Sequence, residues 1–333
     1  MRSAAASELE ARTAISMSVI QAIVLGIIQG LTEFLPISSS GHLAIAGRLF
    51  GELLHQGEVP LAFDVLLHFA SVVAILIVLR RDVFSLLTTR RRLIPLLVVG
   101  TIPAAVAGLL LEEYFDSARH SMAAVGAALV CTGFVLALCE RIGRRSRDLA
   151  SVGLRDALII GCAQAAALVP GISRSGMTIG GGLFRGFTRE ACVRFSFLLA
   201  IPVIIGASAT KIPDMAKMAT DRGALPLIVG AAASLGASIL AIKALLRLVR
   251  RTSLAVFAYY CVPLGMVVFV LSAPQTFATW LTALGLAHTP AAAGGYVLAV
   301  IIIAAVAGVV FLGLLRKRRA SRGAADSPDR NND

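Results

Sequence analysis

Residues able to do chemistry gather in two stretches of this 333-residue chain, 29-QGLTEFLPISSSGHL-43 and 164-QAAALVPGISRSGMTI-179. Glu33 offers a carboxylate that can take a proton or hold a hard cation. His42 exchanges a proton near neutral pH, and a nearby serine hydroxyl becomes a nucleophile when a base stands beside it. Arg174 brings a guanidinium that keeps its charge and whose planar fork matches phosphate oxygens. Gln29 lies one helical turn before Glu33, on the same face, where its carbonyl completes a metal shell or orients a substrate. Such a set is the equipment of phosphoryl transfer. Plainer roles compete: Ser38, Ser39 and Ser40 as helix caps, and Glu33 as a structural partner of Arg174.

The elements that position these groups are broken helices. Pro36 stops one helix, the three serines offer cap oxygens for the next, and Gly41 clears space for a close approach. In the second stretch Pro170 and Gly171 break the chain, and Ser173, Ser175 and Thr178 surround a new helix start. Two helix starts facing one another turn free N–H groups and positive dipole ends toward a shared point, which suits an anion such as phosphate. The copies keep a constant offset of 135 residues: Gln29 to Gln164, Ser38 to Ser173, Ser40 to Ser175 and Gly41 to Gly176. A weaker echo pairs 94-IPLLVVG-100 with 225-LPLIVG-230.

With 57% hydrophobic residues, 15% charged residues and a mean hydropathy of +0.85, the chain is excluded from the soluble globular class. A spanning helix needs about 20 mostly apolar residues. Such runs lie near 61–79, 93–111, 121–140, 191–210, 224–246, 254–272 and 295–315. The net charge of +12 is spread over short loops rather than one face, so it signals topology and not nucleic-acid binding. Arg80, Arg81 and Arg90 to Arg92, then Arg141 to Arg155, then Lys243 to Arg251, and Arg316 to Arg319 are assigned to the cytoplasmic side. Arg185, Arg189 and Arg194 are likewise topology charges rather than ligands. The loop 112–120, the mixed 211–222 and the stretch 273–294 are assigned outside.

Because 141–155 and 185–194 are both inside, 156–184 enters and leaves by one face. The run 18–50 then enters from outside, and the amino terminus is external. This predicts an all-α polytopic membrane protein with inverted-topology repeats, two re-entrant helical hairpins, six core transmembrane helices and an extra C-terminal one. Its divisions are a disordered extension 1–16, a first repeat 17–147, a second repeat 148–272, an extra span in 273–315 and a polar tail 316–333. The five cysteines lack metal-ligand spacing and are assigned to packing. Asp64 and His68, one turn apart, are assigned to capping and packing in preference to a second metal site.

At the two motifs the chain resembles the undecaprenyl-diphosphate phosphatases, also called bacitracin-resistance proteins. The similarity extends through 62-AFDVLLHFASVVAIL-76, 190-EACVRFSFLLAIP-202 and 240-LAIKALLRLVRRTSL-254, and covers roughly residues 17–272. It implies a phosphatase of the bacterial inner membrane that removes the terminal phosphate of a C55 isoprenyl diphosphate at the outer face. Carried over by position, Glu33, Ser39, His42 and Arg174 match catalytic residues. Gln29, Ser38, Ser173, Ser175 and Thr178 match phosphate- or metal-contacting positions, and Gly171 joins the phosphate-binding set. A divalent cation, Mg2+ or Ca2+, is the implied cofactor, near Glu33 and Gln29. Gln stands at position 29 where many members have Glu, which weakens a carboxylate pair as the metal ligand. In this scheme Ser39 attacks and His42 or Glu33 takes its proton. Two alternatives stay open: water attack assisted by His42, and a transporter of a lipid phosphate or organic anion. Lipid is the partner in every version, and a homodimer is left open.

Overall fold

The computed structural model describes residues 18–54, 61–111, 121–209, 211, 213 and 224–272. The extension 1–16, the span 295–315 and the tail 316–333 lie outside the described residues, as do the loop 112–120 and most of 211–222.

Among the described residues the regular elements are helices: α1 (Val19–Phe34), α2 (Ser39–Leu54), α3 (Leu61–Val78), α4 (Arg80–Leu87), α5 (Leu93–Leu110), α6 (Met122–Ile142), α7 (Leu154–Ala166), α8 (Arg174–Phe184), α9 (Arg189–Ala209), α10 (Ala224–Leu248) and α11 (Ala258–Ser272). Among the described residues five segments are long and apolar enough to cross a membrane: α5, α6, α9, α10 and Leu254–Ser272. A sixth is reached if α3 and α4, bent by 78° against one another, count as one broken span. The expected span 61–79 therefore corresponds to α3, which ends where Arg80 and Arg81 begin. Leu109, Leu110, Phe134, Leu138, Ile228 and Leu240 stand exposed on the flanks, as helices immersed in lipid require. Cys139, Cys192 and Cys261 are buried as expected, whereas Cys131 and Cys162 are exposed on the same flanks.

Helix α1 begins at Ser18, whose side chain accepts from the Gln21 backbone, and stops at Leu35 before Pro36. It packs along α10, while α7 packs along α5 and α6 along α11. Small residues permit these approaches. A Cβ on Gly26 would collide with the carbonyl oxygen of Gly230, and one on Gly161 would lie 2.5 Å from that of Gly100. Gly26 and Gly161 are 135 residues apart, so the same contact is made twice with partners from the other half. Under the polar breaks lies the main core, in which Phe34 meets Phe197 edge-on at 5.1 Å between ring centres. That contact fixes the end of α1 one residue after Glu33.

The basic loops converge at one end of the molecule on four acids. Asp156, in the first turn of α7, accepts from Arg147 at 2.7 Å and from Arg185, just past α8, at 2.6 Å. Hydrogen bonding to Asp156 pushes the Arg147 guanidinium above its ordinary pKa. The start of α7 and the end of α8 are thus tied to one place. Glu140 pairs with Arg145 and Arg189, Asp82 with Arg90 and Arg194, and Glu190 with Arg194 and Arg250. Arg185, Arg189 and Arg194, expected only as topology charges, therefore hold loops together.

Gly161→Leu is expected to force α7 away from α5 and to lower the melting temperature in detergent. At Gly206 a Cβ meets nothing within 4 Å, so Gly206→Ala should melt with the parent. Equal melting of all three proteins would contradict the close packing.

Candidate active site

The two breaks meet. Ser38 and Ser173 cap α2 and α8 with the same hydrogen bond: each side-chain oxygen accepts from the backbone N–H three residues on, Gly41 at 3.2 Å and Gly176 at 3.1 Å. Each cap hydroxyl also touches the serine two residues later, Ser40 at 3.3 Å and Ser175 at 3.1 Å. Those second serines cross to the opposite break. Ser40 accepts from the Gly171 N–H at 3.3 Å, and Ser175 donates to the Leu35 carbonyl at 3.0 Å. Ser38 takes a φ of 71° and Gly171 a φ of 92°. The left-handed backbone suits glycine but is strained for serine, and the His42 ring, at 2.7 Å from the Ser38 carbonyl, helps to hold it.

Glu33 sits at the centre, nearly closed from solvent. One oxygen accepts from Arg174 Nη2 at 2.6 Å. The other accepts from Ser39 Oγ at 2.6 Å and Gln29 Nε2 at 2.8 Å, and lies 3.1 Å from His68 Nδ1. An ionised carboxylate has about four acceptor sites, and Arg174, Ser39 and Gln29 supply donors to three of them. An apolar interior tolerates a charge on these terms. Ser39, His42 and Arg174 keep partial exposure, whereas Gln29, Ser38, Gly171, Ser173, Ser175 and Thr178 are buried. Thr178 donates back to the Arg174 carbonyl at 2.8 Å and meets Ser196 at 2.6 Å. It thus supports the start of α8 from behind.

Two expectations change. His42 does not touch Ser39: its Nδ1 lies 2.7 Å from the Ser38 carbonyl, which can only accept, and its Nε2 lies 2.7 Å from the Tyr260 hydroxyl. The rings of His42 and Tyr260 also stack, 9° from parallel. Of the two bases offered for Ser39, Glu33 is the one in contact. Second, His68 is more than a packing residue, because its ring reaches both Gln29 and Glu33. The i to i+4 spacing of Asp64 and His68 inside an apolar span was the available signal. Tyr260 gave none, being one aromatic in an apolar run 218 residues from its partner. Thr132, which accepts from the Ser173 N–H at 3.0 Å, was equally silent.

An all-helical multi-pass membrane protein with a buried, charge-compensated serine, glutamate and arginine cluster is the class that fold and site define. Comparison with known sequences places it more closely. Residues 22–267 match the family model of the bacitracin resistance protein BacA. A protein of Halothermothrix orenii named undecaprenyl-diphosphatase is 42% identical over 260 residues, covering 77% of this chain and 99% of its own length. A protein of the same name from Rhodopirellula baltica is 42% identical over 255 residues, covering 76% and 98%. One from Geobacter sulfurreducens is 42% identical over 260 residues, covering 73% and 94%. The chain belongs to the bacitracin resistance protein BacA family.

Arg174→Ala strands the buried Glu33 without its counter-charge, which is expected to cost about 3–5 kcal/mol. Glu33→Gln combined with Arg174→Gln should cost less than that single change. Thermal unfolding in detergent reads both, and a single variant as stable as the parent would contradict the pair.

Proposed function

We propose that this protein is an integral membrane phosphatase that hydrolyses undecaprenyl diphosphate to undecaprenyl phosphate and inorganic phosphate, renewing the lipid carrier of cell-wall synthesis. The observation that carries the reading is Ser39 Oγ held 2.6 Å from Glu33, with Arg174 2.6 Å from the same carboxylate. The relatives' names supply the substrate.

In this reading Glu33 takes the Ser39 proton as Oγ bonds to the terminal phosphorus. The bond from phosphorus to the bridging oxygen breaks, and the lipid monophosphate leaves. Water then displaces Oγ, which recovers its proton from Glu33, while the water's hydrogens stay with inorganic phosphate. Arg174 keeps N–H groups beyond the one given to Glu33, and these meet the phosphate oxygens. The starts of α2 and α8 add their dipoles. His42, steadied by Ser38 and Tyr260, orients the diphosphate. Ser38, Gly171, Ser173, Ser175 and Thr178 shape the cradle, the serines and threonine through the internal bonds described above.

A divalent cation, Mg2+ or Ca2+, fits as a companion of the diphosphate. Gln29 Oε1 is buried without a partner, and Glu33 adjoins it as a weaker donor because its oxygens already accept from other groups. Among the described residues no cluster of three or more His, Cys, Asp or Glu side chains could hold an ion. A hard cation's six or more oxygens would therefore come largely from substrate and water. Such an ion would offset charge on the phosphate oxygens.

Inverted repeats and two re-entrant hairpins are part of the proposal. Helices α1, α2, α7 and α8 have 16, 16, 13 and 11 residues, each below the about 20 needed to span. The twice-made glycine contacts and twinned serine caps support the duplication, and the Asp156 ion pairs support a hairpin with both ends on one face. The basic end would then be cytoplasmic, with the catalytic site facing the outer side of the bacterial inner membrane.

Purified protein in detergent should release phosphate from undecaprenyl diphosphate. Chelation of divalent ions should slow release, and Arg174→Ala should reduce it at least about 10²-fold. Labelled substrate should leave phosphate on Ser39, whereas inversion at phosphorus in a single step would remove Ser39 as nucleophile. Lipid binding and flux without phosphate release would favour a carrier.

A further inference from the structure

One residue that adjoins Glu33 comes from outside both breaks. His68, in α3, places Nδ1 2.8 Å from Gln29 Nε2 and 3.1 Å from Glu33 Oε2. Its other nitrogen lies 3.6 Å from Asp64 Oδ1, a buried oxygen without a hydrogen-bond partner. A single imidazole thus stands between two carboxylates, with the Gln29 amide on the inner side. With Nδ1 unprotonated, one set of directions satisfies both N–H bonds of the Gln29 amide. The Gln29 amide has two N–H bonds: one goes to Glu33 Oε2 at 2.8 Å, and the other is left for His68 Nδ1. That nitrogen then accepts, so the ring's N–H is on Nε2 and points toward Asp64.

We propose that Asp64 and His68 form a positioning pair for the reaction. By holding the second Gln29 N–H, His68 locks the amide, and the locked amide fixes the Glu33 oxygen that Ser39 uses. Gln29 Oε1 is left turned away from Glu33, as the free acceptor of the site. Glu33 needs this outside support. Gln29 shares its helix, so the two can shift together, and Arg174 holds only the opposite oxygen. Asp64 acts solely through His68, by fixing the rotation of the ring.

The inference rests on Ser39 and Glu33 being the reacting pair, and the experiment separates the two ideas. Phosphate release is measured with purified full-length His68→Leu, His68→Asn, Asp64→Asn and the double variant Asp64→Asn, His68→Asn, beside Glu33→Gln as control. Loss of a positioning group costs about 10- to 10²-fold. His68→Leu should therefore lose about that factor in kcat, with KM for the lipid within about twofold. His68→Asn keeps an amide where Nδ1 stood and should recover most of the rate. Asp64→Asn should lower kcat in the parent but change nothing further in His68→Asn. Equal losses in the Leu and Asn variants, following a loss of melting temperature, would overturn the proposal in favour of simple packing. Full activity in His68→Leu beside an inactive Glu33→Gln would overturn it while leaving the phosphatase reading intact. Full activity in Glu33→Gln would overturn both.

Discussion

A carboxylate in an apolar interior persists only where donors replace its water, and Glu33 is met from four helices. Gln29 donates to it along α1, Ser39 from the start of α2 and Arg174 from the start of α8, while His68 of α3 stands 3.1 Å away beside the Gln29 amide. No one of these helices could solvate the charge, so the burial of Glu33 forces both breaks to a common point. The serine cross-links between the breaks follow from the same demand, since backbone groups freed by Pro36 and by Pro170 with Gly171 also need partners away from water.

The rest of the architecture holds that point steady. Glycine contacts bring α1 against α10 and α7 against α5, so each broken pair leans on a long helix of the other half. Phe34 wedges against Phe197 directly behind Glu33. At the basic end, four acids gather arginines from separate loops and tie the ends of α7 and α8 together. At the first break Ser38 adopts a left-handed backbone that a cap bond and the His42 ring sustain.

Much of this was legible in the chain. Polar residues inside apolar runs pointed to the groups that the fold brings together, because charges are costly there. The 135-residue offset gave the pairing of the breaks, and Ser38 and Ser173 emerge as equivalent caps. Local pattern could not give partners. Whether Ser39 leans on His42 or on Glu33 depends on how α2 rotates over α1, and Tyr260 captures His42 through a contact 218 residues away. His68 was visible as a residue but ambiguous in role, since only the packing of α3 beside α1 decides what an imidazole one turn past Asp64 will touch. Read as topology signals, the loop arginines concealed that several are bonded to buried acids.

That a pair of breaks closes on one headgroup is tested most directly by an experimental structure of the protein in lipid nanodiscs with a methylene-bridged isoprenyl diphosphate. The account predicts the terminal phosphate between Ser39 Oγ and the Arg174 guanidinium, with Glu33 hydrogen-bonded to both residues. Density for the headgroup elsewhere, or Glu33 and Arg174 without a shared cavity, would contradict it.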